Sequence, residues 1–297
     1  MTPVVIGLPG NEALAARLAA LLSAEEGKAE CRRFPDGESY VRLLSDVAGR
    51  SVVLVETLDR PDPKFLPLSF AASTARELGA RSVGLIAPYL AYMRQDRRFH
   101  SGEAIGSKIF ARHVSGIADW LVTIDPHLHR IGSLPAIYAI PTRNAHASPL
   151  LARWIGREVE RPLLVGPDAE SAQWVAAVAD AAGAPFIVLE KHRRGDSDVE
   201  VSVPEIARWR DHTPVLVDDI IATARTMIVM LGHLRSAGMK PAVCVGVHAV
   251  FASGAYEALR AAGPSRIVTT NTIAHETNGI DVAPLLAEAA AALIDAG

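Results

Sequence analysis

Residues 213–227 read TPVLVDDIIATARTM. An apolar run ends in two acids, and small and hydroxyl-bearing residues follow where a helix starts. Open parallel sheets bind ligands at the carboxyl ends of their strands, where the next helix presents free N–H groups. Asp218 and Asp219 sit at that place. Carboxylates cannot grip a phosphate, but they can accept hydrogen bonds from vicinal sugar hydroxyls while Thr223, Thr226 and the helix N-terminus take the phosphate. The segment therefore fits a sugar-phosphate site, and on its own it fits a solvated helix cap equally well.

Outward from this stretch, short runs rich in Val, Ile and Leu alternate with Ala-rich segments of helical spacing, which predicts an α/β fold. Strands are expected at 4–8, 51–57, 82–88, 120–125, 162–168, 185–191, 214–219, 242–249 and 266–270. Most lack in–out alternation, as strands covered on both faces do. Helices fit 11–23, 65–79, 104–117, 148–156, 169–182, 224–238, 253–262 and 283–295, with Gly79 and Gly238 as helix ends. SVVLVETL, a helix and SVGLIAPY echo TPVLVDDI, a helix and AVCVGVHA at nearly equal spacing, which suggests a duplication. The polar connection TRNAHASP (142–149) is the best boundary, giving domains 1–145 and 146–297.

A chain of 297 residues, 49% of them apolar, is long enough for two domains of roughly 150 residues. Its formal net charge of −3 gives no basic excess for nucleic acid. Cys31 and Cys244 are too few for a disulfide framework or a tetrahedral zinc site. No leader-like start and no run near the roughly 20 apolar residues of a membrane span occurs, so a cytoplasmic protein is expected.

Three more clusters carry chemistry. Arg94, Arg97 and Arg98 surround Gln95 and Asp96 past a buried strand, and planar guanidinium forks suit polyphosphate, although a solvated charge run reads the same way. Lys191, Arg193 and Arg194 leave another strand as a basic loop, either a lid over an anionic transition state or a surface turn. In TIDPHLHR, His127 and His129 follow Asp125; no zinc-hydrolase ligand set accompanies them, and one imidazole helping a carboxylate such as Asp168 hold a nucleotide-bound divalent ion is more economical. For His129, His146, His212 and His233 a structural role is preferred.

In order, spacing and content these segments resemble the ribose-phosphate diphosphokinases, or phosphoribosyl-pyrophosphate (PRPP) synthetases. The likeness covers nearly the whole chain and rests on RRFPDGESYV (32–41), PYLAYMRQDRRF (88–99), TIDPHLH (123–129), VGPDAES (165–171), EKHRR (190–194), VLVDDIIATARTM (215–227) and VHAVFASGA (247–255). It implies two similar phosphoribosyltransferase-type (type I) α/β domains, each a mainly parallel sheet flanked by helices, in homodimers or higher homo-oligomers. It implies transfer of the β,γ-diphosphoryl group of ATP to the anomeric oxygen of ribose 5-phosphate, giving PRPP and AMP. Arg94, Gln95, Asp96 and Arg97 would belong to the ATP site, with Phe34, Asp36 and Glu38 reaching the adenine from a neighbouring subunit. His127 and Asp168 would hold Mg2+, and Lys191 and Arg193 would supply charge to the transferring group. Asp218 and Asp219 would hold the ribose hydroxyls and Thr223 to Thr226 the 5-phosphate. The usual loop has an acid or Ser before the Thr and two glycines after it; this chain has Ala222, Ala224 and Arg225, and side chains there could forbid the dihedrals that glycine allows. Two other readings remain: a catalytically silent paralogue regulating an active synthetase, and a phosphoribosyltransferase acting on a nucleobase.

Overall fold

Apolar strands without alternation need cover on both faces, and the chain supplies it by laying helices over two parallel sheets. The computed structural model describes residues 1–128, 130–166, 172–188, 192–194, 198–200, 206 and 208–294, with the backbone alone at 173, 192–194 and 198–200. The chain forms two compact units, Met1–His146 with Val282–Gly297, and Ala147–Asp281.

In the first unit the strands β1 (Val4–Gly7), β2 (Glu25–Gly27), β5 (Ser51–Val55), β6 (Ser82–Ala87), β7 (Trp120–Ile124) and β8 (Thr142–Ala145) lie in the order β2-β1-β5-β6-β7-β8, all parallel. An antiparallel hairpin, β3 (Ala29–Arg33) and β4 (Ser39–Leu43), stands apart from the sheet. The helices are α1 (Glu12–Leu21), α2 (Asp62–Glu77) and α3 (Gly106–Ile117). In the second unit β9 (Pro162–Gly166), β10 (Phe186–Val188), β13 (Thr213–Ile220), β14 (Val243–His248), β15 (Arg266–Thr270) and β16 (Asn278–Ile280) lie in the order β10-β9-β13-β14-β15-β16, again all parallel. Here too a hairpin, β11 (His192–Arg194) and β12 (Asp198–Glu200), separates the second strand from the third. The remaining helices are α4 (Ser148–Glu158), α5 (Ala172–Ala182), α6 (Arg225–Ser236), α7 (Ala255–Ala261) and α8 (Ala283–Ile294).

The matched strand orders support the duplication read from the sequence. Each expected strand and helix has a counterpart within a few residues; positions 167–171, 189–191 and 295 of the expected elements lie outside the described residues. The elements without a sequence signal are β2, β8 and β16 at sheet edges and the two hairpins, which are short and carry charged or polar residues. An edge strand has one neighbour and needs no two-sided apolar face. The division expected at 145 falls one residue from the junction between His146 and Ala147, but the assignment of everything beyond it to the second domain needs correcting at the end of the chain. Helix α8, APLLAEAAAALI, has little polar surface of its own and buries Leu286, Ala287, Ala290, Leu293 and Ile294, packing on α1 and along β6 to β8 of the first unit.

In both sheets strand order reverses after the first strand, so the crevice that open sheets use for ligands lies between β1 and β5 in the first unit and between β9 and β13 in the second. The first crevice is sealed. Asn11, on the loop after β1, donates from Nδ2 to Glu56 Oε1 at 3.2 Å and accepts the Thr57 N–H on Oδ1 at 3.0 Å. Lys64 at the start of α2 reaches in, its Nζ 3.7 Å from Glu56 Oε1 and donating to the Thr57 carbonyl at 2.7 Å. Aligning SVVLVETL with TPVLVDDI puts Glu56 opposite Asp218: one sheet buries its acid under its own side chains.

Burial pushes the Glu56 carboxyl up to about 8, against the opposing pull of the Lys64 ammonium. An acid whose folded pKa exceeds its unfolded value supports folding while protonated; that contribution is full below about 4.5 and lost as pH rises through about 8. Glu56→Gln mimics the protonated form. It should leave Tm nearly unchanged at about pH 4 and raise it by roughly 2–6 °C at about pH 8.5 in scanning calorimetry, whereas an equal shift at both pH values contradicts the assignment.

Candidate active site

In the second unit the corresponding crevice ends in Asp218 and Asp219, both half-buried at the end of β13. Burial, and then the adjacent Asp219 carboxylate, push Asp218 well above the usual carboxylate range. Two adjacent carboxyls at a strand end can accept from a pair of neighbouring hydroxyls.

The loop that follows is laced to the loop after β14. Ile221 N donates to His248 O at 3.0 Å, Phe251 N to Ile221 O at 2.9 Å, and Ala252 N to Ala222 O at 2.9 Å. Buried His248 is held in turn by its Nδ1, 2.9 Å from Thr272 Oγ1. Gly246, in register with Asp218, lets β14 pass close under this loop, since a Cβ there would lie 2.5 Å from Ile221 Cδ1. The VHAVFASGA motif thus works by shaping the diacid loop.

Ala224 answers the question raised by the missing glycines. It adopts φ 56°, ψ 3°, the left-handed conformation, with its methyl buried in the core cluster that includes Ile221 and Met227. Alanine holds the backbone turn that glycine would adopt with less strain. Arg225 begins α6 and is exposed, with no hydrogen bond or ion pair among the described residues. Thr223 and Thr226 are exposed beside it. Among the described residues no side chain caps α6, so its first-turn N–H groups are available to an anion next to the diacid.

In the first unit, Arg94, Gln95 and Arg97 are exposed on the loop after β6, with the Arg97 guanidinium 4.8 Å from the Phe99 ring centre. Asp96 differs from its neighbours. Its carboxylate faces inward with no exposed surface, and Arg130 Nη1 lies 3.3 and 3.2 Å from its two oxygens. Arg130 stands in the quoted TIDPHLHR segment, but nothing in the sequence singled it out. His127 is half-buried on the same loop, after β7. Two residues before it, Asp125 takes φ 34° and lies 2.9 Å from His146 Nδ1, an interaction that raises the imidazole pKa.

Phe34, Asp36 and Glu38 form the exposed tip between β3 and β4, closed by Phe34 N to Glu38 O at 2.8 Å and by Asp36 Oδ1 accepting Glu38 N at 3.2 Å. Among the described residues no hydrogen bond or ion pair joins this tip to the Arg94–Arg97 loop. Lys191, Asp168 and His129 lie outside the described residues, and Arg193 is described only as backbone in β11. Among the described residues no group of three or more His, Cys, Asp or Glu is poised around a metal position. Mg2+ that arrives on nucleotide phosphates needs only one or two protein ligands and keeps several waters, so a closed cage of protein groups is not required for that ion.

A model of the N-terminal domain of ribose phosphate pyrophosphokinase matches residues 4–117, and a phosphoribosyl transferase domain model matches residues 134–285. Ribose-phosphate pyrophosphokinase of Methanopyrus kandleri is 35% identical over 289 residues, covering 96% of this chain and 98% of its own. The protein of the same description from Sulfurisphaera tokodaii is 32% identical over 291 residues, covering 96% and 99%.

The chain belongs to the ribose-phosphate pyrophosphokinase family.

The fold agrees with that of a phosphoribosylpyrophosphate synthetase from Mycobacterium smegmatis, with a TM-score of 0.81 over the whole of both chains at 23% identity. Where the family's usual loop carries glycine, Ala224 is one of the non-glycine residues that this chain holds at positive φ. Ala224→Gly should stabilise the protein by up to about 1 kcal/mol, and Ala224→Val, β-branched at positive φ, should destabilise it by about 2 kcal/mol or more in urea denaturation. A stabilising valine would mean that the left-handed turn is not kept in solution.

Proposed function

We propose that this family member is an active Mg2+-dependent diphosphokinase that transfers the β,γ-diphosphoryl group of ATP to the anomeric hydroxyl of ribose 5-phosphate or a close pentose phosphate. The observation that carries the reading is the end of β13: paired carboxyls followed, among the described residues, by a helix start with no side-chain cap and by Ala224 in the left-handed turn. Asp218 and Asp219 fix the sugar through its vicinal hydroxyls. Thr223, Thr226 and the α6 N–H groups take the 5-phosphate, and Arg225 adds a charged fork where relatives rely on backbone alone.

Arg94, Gln95 and Arg97 receive the nucleotide phosphates, and Phe34, Asp36 and Glu38 complete a neighbouring subunit's nucleotide site in a homodimer or higher homo-oligomer. His127 and Asp168 are the protein ligands of the nucleotide's Mg2+, which neutralises charge on the phosphate oxygens. Lys191 and Arg193 meet the charge that develops on the transferring group. The barrier to such a transfer is alignment and charge rather than covalent chemistry, which accords with a site furnished with cations and an oriented hydroxyl. These are substrates of an aqueous compartment, and among the described residues no helix is long and apolar enough to cross a membrane. A silent regulatory paralogue would need the sugar crevice blocked. Arg225 is exposed and makes no hydrogen bond or ion pair among the described residues, which supports a side chain available to substrate.

AMP release from ATP and Mg2+ with a panel of pentose phosphates tests the reading; no release with any sugar, under conditions where a known synthetase works, removes it. A charged contact to phosphate is worth about 1.5–3 kcal/mol, so Arg225→Ala should raise KM for the sugar phosphate roughly 10-fold to 150-fold and leave KM for ATP nearly unchanged. Unaltered sugar affinity would make Arg225 a bystander. Alanine at Lys191 or Arg193 should lower kcat by roughly 100-fold or more with little change in ATP affinity, and an unchanged kcat would refute their role.

A further inference from the structure

We infer that Arg130 is a positioning residue for nucleotide binding, tying the loop after β6 to the loop after β7 through the buried carboxylate of Asp96. The inference rests on the reading of Arg94–Arg97 as the phosphate-binding loop.

Three observations meet at this pair. The Asp96 carboxylate has no exposed surface, although Arg94, Gln95 and Arg97 around it are all exposed. A buried carboxylate needs a counter-charge, and Arg130 Nη1 contacts both of its oxygens. Arg130 belongs to a different loop, in the turn closed by Gly132 N to Leu128 O at 3.0 Å, three residues beyond His127. Because β6 and β7 are neighbours in the sheet, their following loops leave the same edge side by side, and the ion pair is a strut between them.

The strut constrains the exposed residues. With Asp96 drawn inward, Arg94 and Gln95 before it and Arg97 after it project from a fixed backbone. The same loop is pinned a second time by Ser107 at the start of α3, whose N and Oγ donate to Gln95 O at 3.2 and 3.1 Å. Arg130 is itself about half exposed at the side chain, so the pair stands at the rim, where binding can feel its loss while the core does not.

The experiment measures the affinity of the whole protein for Mg-ATP by calorimetry, beside KM for ATP and for the sugar phosphate, in wild type, Arg130→Gln, Arg130→Lys, Asp96→Asn and the Asp96→Asn/Arg130→Gln double variant. Expected are about 10-fold weaker ATP binding in Arg130→Gln, an unchanged KM for the sugar phosphate, partial rescue in Arg130→Lys, and a double variant no worse than the weaker single one, since the two residues act as one unit. An ATP affinity unmoved in Arg130→Gln, or equal loss for both substrates, overturns the inference even if Tm falls. Wild type that binds ATP but releases no AMP with any pentose phosphate would overturn the activity reading alone, and the calorimetric comparison would still decide the role of Arg130.

Discussion

A parallel sheet whose strand order reverses leaves a gap between two diverging loops, and the two gaps in this chain have opposite contents. Between β1 and β5, Asn11, Glu56, Thr57 and Lys64 satisfy one another and fill the place where a ligand would enter. At the end of β13, in the matching position, Asp218 and Asp219 stand beside a helix start that no described side chain caps. The topology is the same on both sides. The difference in chemistry comes from a few residues at strand ends, which is how a duplicated fold can specialise one copy without rebuilding it.

The open gap depends in turn on a loop held from below. Its carbonyls and amides are bonded to the segment after β14, that segment is anchored through His248, and Gly246 makes room for the close approach. Within this frame Ala224 keeps the left-handed turn at some cost in strain. Arg225 needs no special dihedral because it already belongs to the helix. In this loop Ala224 carries the backbone turn and Arg225 the charge of the exposed surface.

The central elements of the fold were legible because fully buried strands leave unbroken apolar runs, and VVIG, SVVLV, SVGLIA and TPVLV all do. The edge strands β2, β8 and β16 and both hairpins were not, because segments such as AECRR, SYVRL and TRNA face solvent or a single neighbour and obey no apolar rule. The destination of α8 was equally hidden: its composition announces a buried helix but not which sheet covers it. At the site, residues whose side chains point outward, such as Arg94, Arg97 and Arg225, could be read from motif and spacing. The inward partners could not. Asn11, Glu56 and the Arg130 to Asp96 pair are brought together by strand neighbours far apart in the chain, and one sequence carries no record of those contacts.

The account's central claim is that the sugar phosphate binds at the Asp218–Asp219 end of the second sheet and not at the Glu56 end of the first. Calorimetric titration of ribose 5-phosphate, with Mg2+ and a non-transferable ATP analogue present and no free phosphate, tests it directly. One site per chain is expected, lost in an Asp218→Asn/Asp219→Asn variant and retained in Glu56→Gln. A second site of comparable affinity, or a single site that survives the loss of both aspartates, would contradict it.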